Sequence, residues 1–248
     1  MAMRKAKAGV HLIGTVSVFG LSDSAVREHL AEFQQRFGQL KLGFRTKFPE
    51  VWVNIYADKS DKEKRQESVA IEWVYRRLGK HAFSDTGQSM EQVVGMLMRA
   101  KKATLAVAES CTGGLIANLL TDVPGSSDYF LFSAVTYANA AKMRILNVKA
   151  ETLESYGAVS EQTAGEMALG AKKAVDATYG LATSGIAGPD GGTEDKPVGT
   201  VCIGLATPSS VTGQRFQFVH NNRKRNKQIF AAAALDMLRK ELTRNGSA

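Results

Sequence analysis

Cysteine is scarce in this chain of 248 residues. Cys111 and Cys202 form no CxxC pair, so no disulfide framework is available, and a reducing cytoplasm is the expected compartment. The four histidines, His11, His29, His81 and His220, lie scattered without metal-ligand spacing, which speaks against a zinc site. No stretch approaches the roughly 18 apolar residues of a membrane span, and no apolar signal-peptide core follows Met1. Neither a phosphate loop ending in Gly-Lys-Ser/Thr nor a GxGxxG fingerprint occurs. A nucleoside triphosphatase or a dinucleotide dehydrogenase is therefore not indicated.

Hydrophobic residues make up 44% and charged residues 23%, an ordinary balance for a soluble globular protein. The net charge of +8 is unevenly placed: residues 1–88 carry +5, residues 89–214 carry −3, and residues 215–248 carry +6. Basic ends are compatible with a solvated surface, with a phosphorylated ligand, or with nucleic acid.

Two domains are expected. Residues 1–85 read as a small α+β module, roughly β-α-β-β-α, behind a loose basic leader at 1–9. Its strands are Val10–Phe19, Lys41–Phe48 and Val51–Ala57; its helices run from Ser22 or Asp23 to about Phe37 and from Ser68 to Leu78. Lys80–Ser89, rich in Gly, Ser and Asp, is the expected boundary. Residues 89–246 then alternate helix and strand. Helices are expected at Met90–Ala100, Gly113–Thr121, Asn139–Leu146, Glu161 to about Ala177, and about Lys227–Leu242. Strands are expected at Thr104–Ala108, Ser133–Tyr137, Leu181–Thr183, Thr200–Ala206 and Gln214–Val219. That order argues for a layered α/β domain with a mixed, mostly parallel sheet.

Chemistry concentrates in loops that follow strands. Glu109-Ser-Cys-Thr-Gly-Gly114 opens a helix after a buried strand, a turn that offers backbone N–H groups, hydroxyls and a thiol to an anion or an oxyanion. Ser184-Gly-Ile-Ala-Gly-Pro-Asp-Gly-Gly-Thr193 is a second such loop, placed where open α/β sheets form their binding crevice. Pro124-Gly-Ser-Ser-Asp128 precedes Tyr137 and Lys142. Ser127 is either a helix cap or a nucleophile, and Lys142 either a surface residue or the base that such a nucleophile needs. If Phe130–Tyr137 were one continuous strand, Ser127 and Lys142 would stand ~25 Å apart. They meet within one chain only if Ser127–Phe132 is a short helix running away and Ser133–Tyr137 a strand running back; the alternative is a pair formed across a dimer. Cys111 is a rival nucleophile, since a helix N-terminus lowers a thiol pKa. Arg223, opening the last helix, suits a phosphate or carboxylate.

The motifs AESCTGG (108–114), PGSS (124–127), VTY (135–137), Lys142, YGAVS (156–160), SGIAGPDGG (184–192) and KPVGT (196–200), in that order, resemble the CinA family. They are most similar to its C-terminal nicotinamide mononucleotide deamidase domain. Residues 1–85 resemble the family's KH-like middle domain, and the family's molybdopterin-binding-like N-terminal domain has no counterpart here. The resemblance implies a three-layer α/β/α fold and hydrolysis of nicotinamide mononucleotide to the nicotinate mononucleotide and ammonia, without metal or cofactor, in a homodimer. It places Ser127 as nucleophile, Lys142 as general base and Tyr137 in support, with Ser110, Thr112, Gly113, Ser184, Gly185 and Arg223 around the substrate. Asn221-Asn222 and Lys227 depart from the family pattern beside Arg223, which bears on phosphate affinity. A non-catalytic nucleotide-binding module is the alternative. The KH-like module lacks a GxxG loop, because Gly38 and Gly43 stand too far apart. Nucleic acid is not an expected partner by that route.

Overall fold

The computed structural model describes residues 10–58, 64–220 and 222–244. The leader at 1–9 and Asn221 lie outside them. The chain divides into two compact units, Met1–Ser89 and Met90–Ala248.

In the first unit, strands β1 (Val10–Phe19), β2 (Lys41–Lys47), β3 (Glu50–Asp58) and β4 (Ala82–Ser84) form an antiparallel sheet of order β2-β3-β1-β4. Val16, Val18, Val51, Val53 and Ile55 turn to one face, where helices α1 (Asp23–His29), α2 (Phe33–Arg36) and α3 (Lys64–Leu78) supply Val26, Phe33 and Val74. Ser22 caps α1, its hydroxyl accepting from the Ala25 N–H at 3.2 Å. The single helix expected to about Phe37 is interrupted at Leu30. β4 lies inside the expected boundary and pairs with β1. At three residues it is too short for an alternation to betray it.

The second unit contains α4 (Met90–Ala100), β5 (Leu105–Glu109), α5 (Leu115–Thr121), β6 (Phe130–Val135), α6 (Asn139–Leu146), α7 (Ala150–Tyr156), α8 (Glu161–Ala174), β7 (Tyr179–Gly185), β8 (Thr200–Ala206), β9 (Val211–Gln217) and α9 (Arg223–Arg244). Its sheet has the order β6-β5-β7-β8-β9; β6-β5-β7 pair in parallel and β7-β8-β9 antiparallel. The strand expected at Ser133–Tyr137 runs instead from Phe130 to Val135. Helix α8 packs on one face with α6 and α7 against it, while α9, α4 and α5 group together on the α9 side. This is the expected α/β/α layering. β5 and β8 are buried at every residue, as strands covered on both faces must be.

Helix α8 sits unusually low on the sheet. A Cβ on Gly180 would lie 2.0 Å from the Ala168 carbonyl oxygen, on Gly204 1.9 Å from that of Ala164, and on Gly213 2.1 Å from that of Glu161. Three adjacent strands thus expose bare backbone along a track that the helix follows. On the helix's own side, Gly170 makes the same room for the end of α6, with Leu146 O at 2.0 Å from the place of its Cβ. The glycines therefore set the height of α8 above the sheet and of α6 against α8.

Candidate active site

β5, β6 and β7 run parallel, so their C-terminal ends open on one edge of the sheet. Three connections meet there: the turn Ser110–Gly114, the stretch Thr136–Ala138 before α6, and the loop after Gly185. They border an open cleft whose lining includes Ser110, Cys111, Tyr137, Lys142, Ser184 and Arg223.

The Ser110 turn is held from behind by Glu109, the last residue of β5. Its buried carboxylate accepts from the Gly114 N–H (2.9 Å) and the Ile116 N–H (3.1 Å) through Oε2, and from the Ala117 N–H (2.9 Å) through Oε1. Three unpaired amides at the start of α5 are thereby satisfied by one charge. Gly113 and Gly114 take φ of +60° and +91°, values that residues with a Cβ rarely adopt. Thr112 is fully buried, with its Oγ1 2.7 Å from Thr183 Oγ1, and so ties the turn to β7.

Lys142, on α6, is 1% exposed. Its Nζ donates to Thr136 O at 2.9 Å, to Tyr137 O at 3.0 Å and to Ser110 Oγ at 3.2 Å. Burial lowers its pKa from the ordinary lysine value, while nearby Cys111 opposes the shift. In the neutral amine, two N–H bonds go to the two carbonyls and the lone pair is left for the Ser110 hydroxyl. That arrangement makes Ser110 the hydroxyl Lys142 can activate.

Burial pushes the Cys111 thiol up to about 12, so it stays protonated near neutrality and is a poor nucleophile. Cys111→Ala is expected to keep any acyl-transfer activity of the cleft within about tenfold of the parent. A dead variant in an initial-rate assay would return Cys111 to the chemistry.

The other expected site residues are placed unevenly. Ser184, 1% exposed, donates its hydroxyl proton to Ala158 O at 2.6 Å, which leaves only lone pairs for the cleft. Gly185 lines the cleft beside it. Tyr137 is 62% exposed; its hydroxyl accepts from Arg223 Nη2 at 3.2 Å, and Arg223 Nη1 donates to Gly188 O at 2.6 Å. Thr112 and the Gly113 amide do not serve the cleft directly. The first is bonded to Thr183, and the second donates to Ser110 O at 3.2 Å.

Ser127 is not brought to Lys142 within one chain. It lies exposed in a short 3₁₀ turn, Ser126–Asp128, just before β6. Six residues of continuous strand, about 20 Å, separate that turn from the edge that holds Lys142. The structure brings Ser110, not Ser127, to Lys142 within one chain. Glu109 and Asn139 were not foreseen. Glu109 stands in the ESCTGG motif, and a carboxylate just before a helix start is a capping signal; Asn139, the first residue of α6, also lines the cleft and carries no sequence signal beyond its place after Tyr137. Among the described residues, no three His, Cys, Asp or Glu side chains gather as a metal would require, and no helix is long and apolar enough to cross a membrane.

A family model described as the CinA C-terminal domain matches residues 87–242. A CinA-like protein of Desulforapulum autotrophicum is 52% identical over 94% of this chain and 55% of its own length, and one of Shewanella amazonensis is 42% identical over 92% and 53%. The chain thus spans about half the length of the curated relatives it matches. Among solved structures, the competence/damage inducible protein CihA from Agrobacterium tumefaciens is similar at a TM-score of 0.60 and 37% identity, over 62% of this chain and 93% of that one. A CinA superfamily protein from Klebsiella pneumoniae is similar at 0.59 and 31%, over 63% and 99%. A family domain matched over more than half of the residues, and one that includes the whole edge-of-sheet cleft, shows that the chain belongs to the CinA family.

Proposed function

We propose that the chain is an amidohydrolase that converts nicotinamide mononucleotide to nicotinate mononucleotide and ammonia, with Ser110 as nucleophile and Lys142 as general base. The observation that carries this reading is the buried Lys142 Nζ, 3.2 Å from Ser110 Oγ and anchored on two backbone carbonyls. The substrate comes from the resemblance; the cleft's chemistry supports it. A buried amine beside a hydroxyl is built for acyl transfer. Arg223 at the mouth suits the phosphate of a mononucleotide. Ser184, restricted to accepting, suits the carboxamide NH₂.

In the reaction, Ser110 Oγ attacks the carboxamide carbon while Lys142 takes its proton. The tetrahedral intermediate collapses, Lys142 returns the proton to the departing nitrogen, and ammonia leaves. Water then attacks the ester on Ser110, with Lys142 again the base. The ester bond breaks, Ser110 recovers its proton and the nicotinate is released. Tyr137 contributes its carbonyl to Lys142 and its hydroxyl to Arg223, joining the two ends of the cleft.

A homodimer and a cytoplasmic location complete the proposal. Leu131 and Val135 on the edge strand β6, with Ile145 on α6, are about half exposed. Such an apolar edge is commonly covered by a partner. Both cysteines are free.

The test is ammonia release from nicotinamide mononucleotide by the purified chain, with and without a chelator. Activity should rise with pH as Lys142 loses its proton, with an apparent pKa below the ordinary lysine value of 10.5 because burial disfavours the charged amine. No product, or a rate that falls over that limb, would reject the assignment.

A further inference from the structure

The missing GxxG loop closes one route to nucleic acid, but the first unit's sheet opens another. Residues directly opposed in an antiparallel pair project to the same side. Across β2 and β3, Lys41 faces Tyr56, Gly43 faces Asn54, Arg45 faces Trp52 and Lys47 faces Glu50. The other side of these strands, Leu42, Phe44, Val51, Val53 and Ile55, packs on the core. One face of the hairpin is therefore apolar and buried, and the other is basic and aromatic. Lys41, Arg45 and Lys47 are exposed; Trp52 and Tyr56 are half-buried.

We propose that this face, Trp52 and Tyr56 flanked by Lys41, Arg45 and Lys47, binds single-stranded nucleic acid. The aromatic rings are placed as stacking platforms. Tyr56 packs against Gly43, where a Cβ would come within 2.8 Å of its ring. Trp52 is steadied by Glu50, which accepts its Nε1–H at 2.9 Å. The two rings stand four residues apart on one strand, about 13 Å. Between them Asn54 takes the Thr15 hydroxyl proton on Oδ1 at 2.8 Å, which leaves its NH₂ as a donor for a base edge.

The cations complete the arrangement. Lys47 Nζ lies 4.9 Å, and the Arg45 guanidinium 5.9 Å, from the centroid of the Trp52 ring. A base stacked on that ring would put its phosphates among them. Glu50, the acidic residue on this face, is buried against Trp52. Aromatic rings interleaved with flexible cations on an exposed strand pair are the chemistry of unpaired-strand binding, RNA or DNA alike. The face shares no residue with the lining of the cleft, so the proposal does not depend on the amidohydrolase reading.

The chain has two tryptophans, and Trp73 packs against Phe33 and Phe37. In Trp73→Phe, Trp52 alone reports. Titration with oligothymidylate and oligouridylate at low salt is expected to quench it saturably. Against the logarithm of salt, the logarithm of affinity should fall with a slope near −2, from three phosphate contacts at about 0.7 each. In the otherwise unaltered chain, anisotropy of a labelled oligonucleotide should show affinity reduced ~10-fold or more by Arg45→Gln with Lys47→Gln, and by Trp52→Leu. Ammonia release should be unchanged in all of them. Three outcomes would overturn the proposal: no saturable binding to either oligonucleotide, equal binding to a duplex of the same length, or full affinity in the charge-deleted variant. Equal duplex binding would point to a generic polyanion surface, such as one that takes an acidic protein.

Discussion

Ser110→Ala and Lys142→Met are each expected to lower the rate of ammonia release by roughly 10⁴-fold or more, and the double variant to be no slower than the worse single one. Nucleophile and base act as a unit, so removal of either leaves nothing for the other to do. Methionine keeps the length of the buried side chain without the amine, although the Thr136 and Tyr137 carbonyls lose their donor. Its effect on folding is read separately, by thermal melting. Substrate affinity, measured calorimetrically, should change little, because Arg223 and Ser184 are untouched. Ser127→Ala is the decisive companion. Exposed and at the far end of β6, it should turn over within about threefold of the parent, as surface substitutions away from special features do. An inactive Ser127→Ala beside an active Ser110→Ala would mean that the pair forms between protomers, and would restore the serine before β6 as nucleophile.

The contact of Lys142 with Ser110, where Ser127 was expected, shows what a linear reading could and could not see. The loops were legible: ESCTGG, the stretch through Tyr137 to Lys142, and SGIAGPDGG all follow strands and all reach the same edge. The pairing of Ser110 with Lys142 was not. It joins residues 32 apart in sequence, through two parallel strands whose ends coincide only once the register is known. The misplaced strand did the damage. Reading Ser133–Tyr137 in place of Phe130–Val135 left room for Ser127 to fold back. The apolar run Phe130-Leu-Phe132 carries no alternation to distinguish strand from helix. Parallel topology nevertheless implied the answer, since a residue before a strand and a residue after it lie at opposite edges. Helix α8 was anticipated from its alanines, yet the depth of its packing was not. A glycine in a strand signals a close approach, but only the fold says that Gly180, Gly204 and Gly213 lie under one helix.

That track carries the largest expected effect on stability. In Gly204→Ala the new Cβ would sit 1.9 Å from the Ala164 carbonyl oxygen and 2.3 Å from its carbon, both backbone atoms of a helix that cannot rotate aside. Helix α8 must lift by more than an ångström, breaking contact with β7, β8 and β9 together. A cost of about 3 kcal/mol is expected, read as a melting temperature lower by roughly 6–12 °C. The site should suffer with the fold. Helix α8 begins at Glu161, two residues beyond Val159 and three beyond Ala158; both line the cleft, and Ala158 O holds Ser184. Through Gly170 the same helix seats the end of α6, which carries Lys142. A lifted α8 therefore shifts both walls of the cleft, and kcat/KM should fall with stability. Gly165→Ala is the control on the same helix. Its Cβ would meet only Val211 Cγ1 at an ordinary 3.5 Å, so the helical preference for alanine should make it neutral or stabilising by about 0.5–1 kcal/mol, with activity kept. If both substitutions behaved alike, close backbone packing would not be what sets the height of α8, and the geometry of the Ser110–Lys142 pair would have to be held by α6 and the Glu109 turn alone.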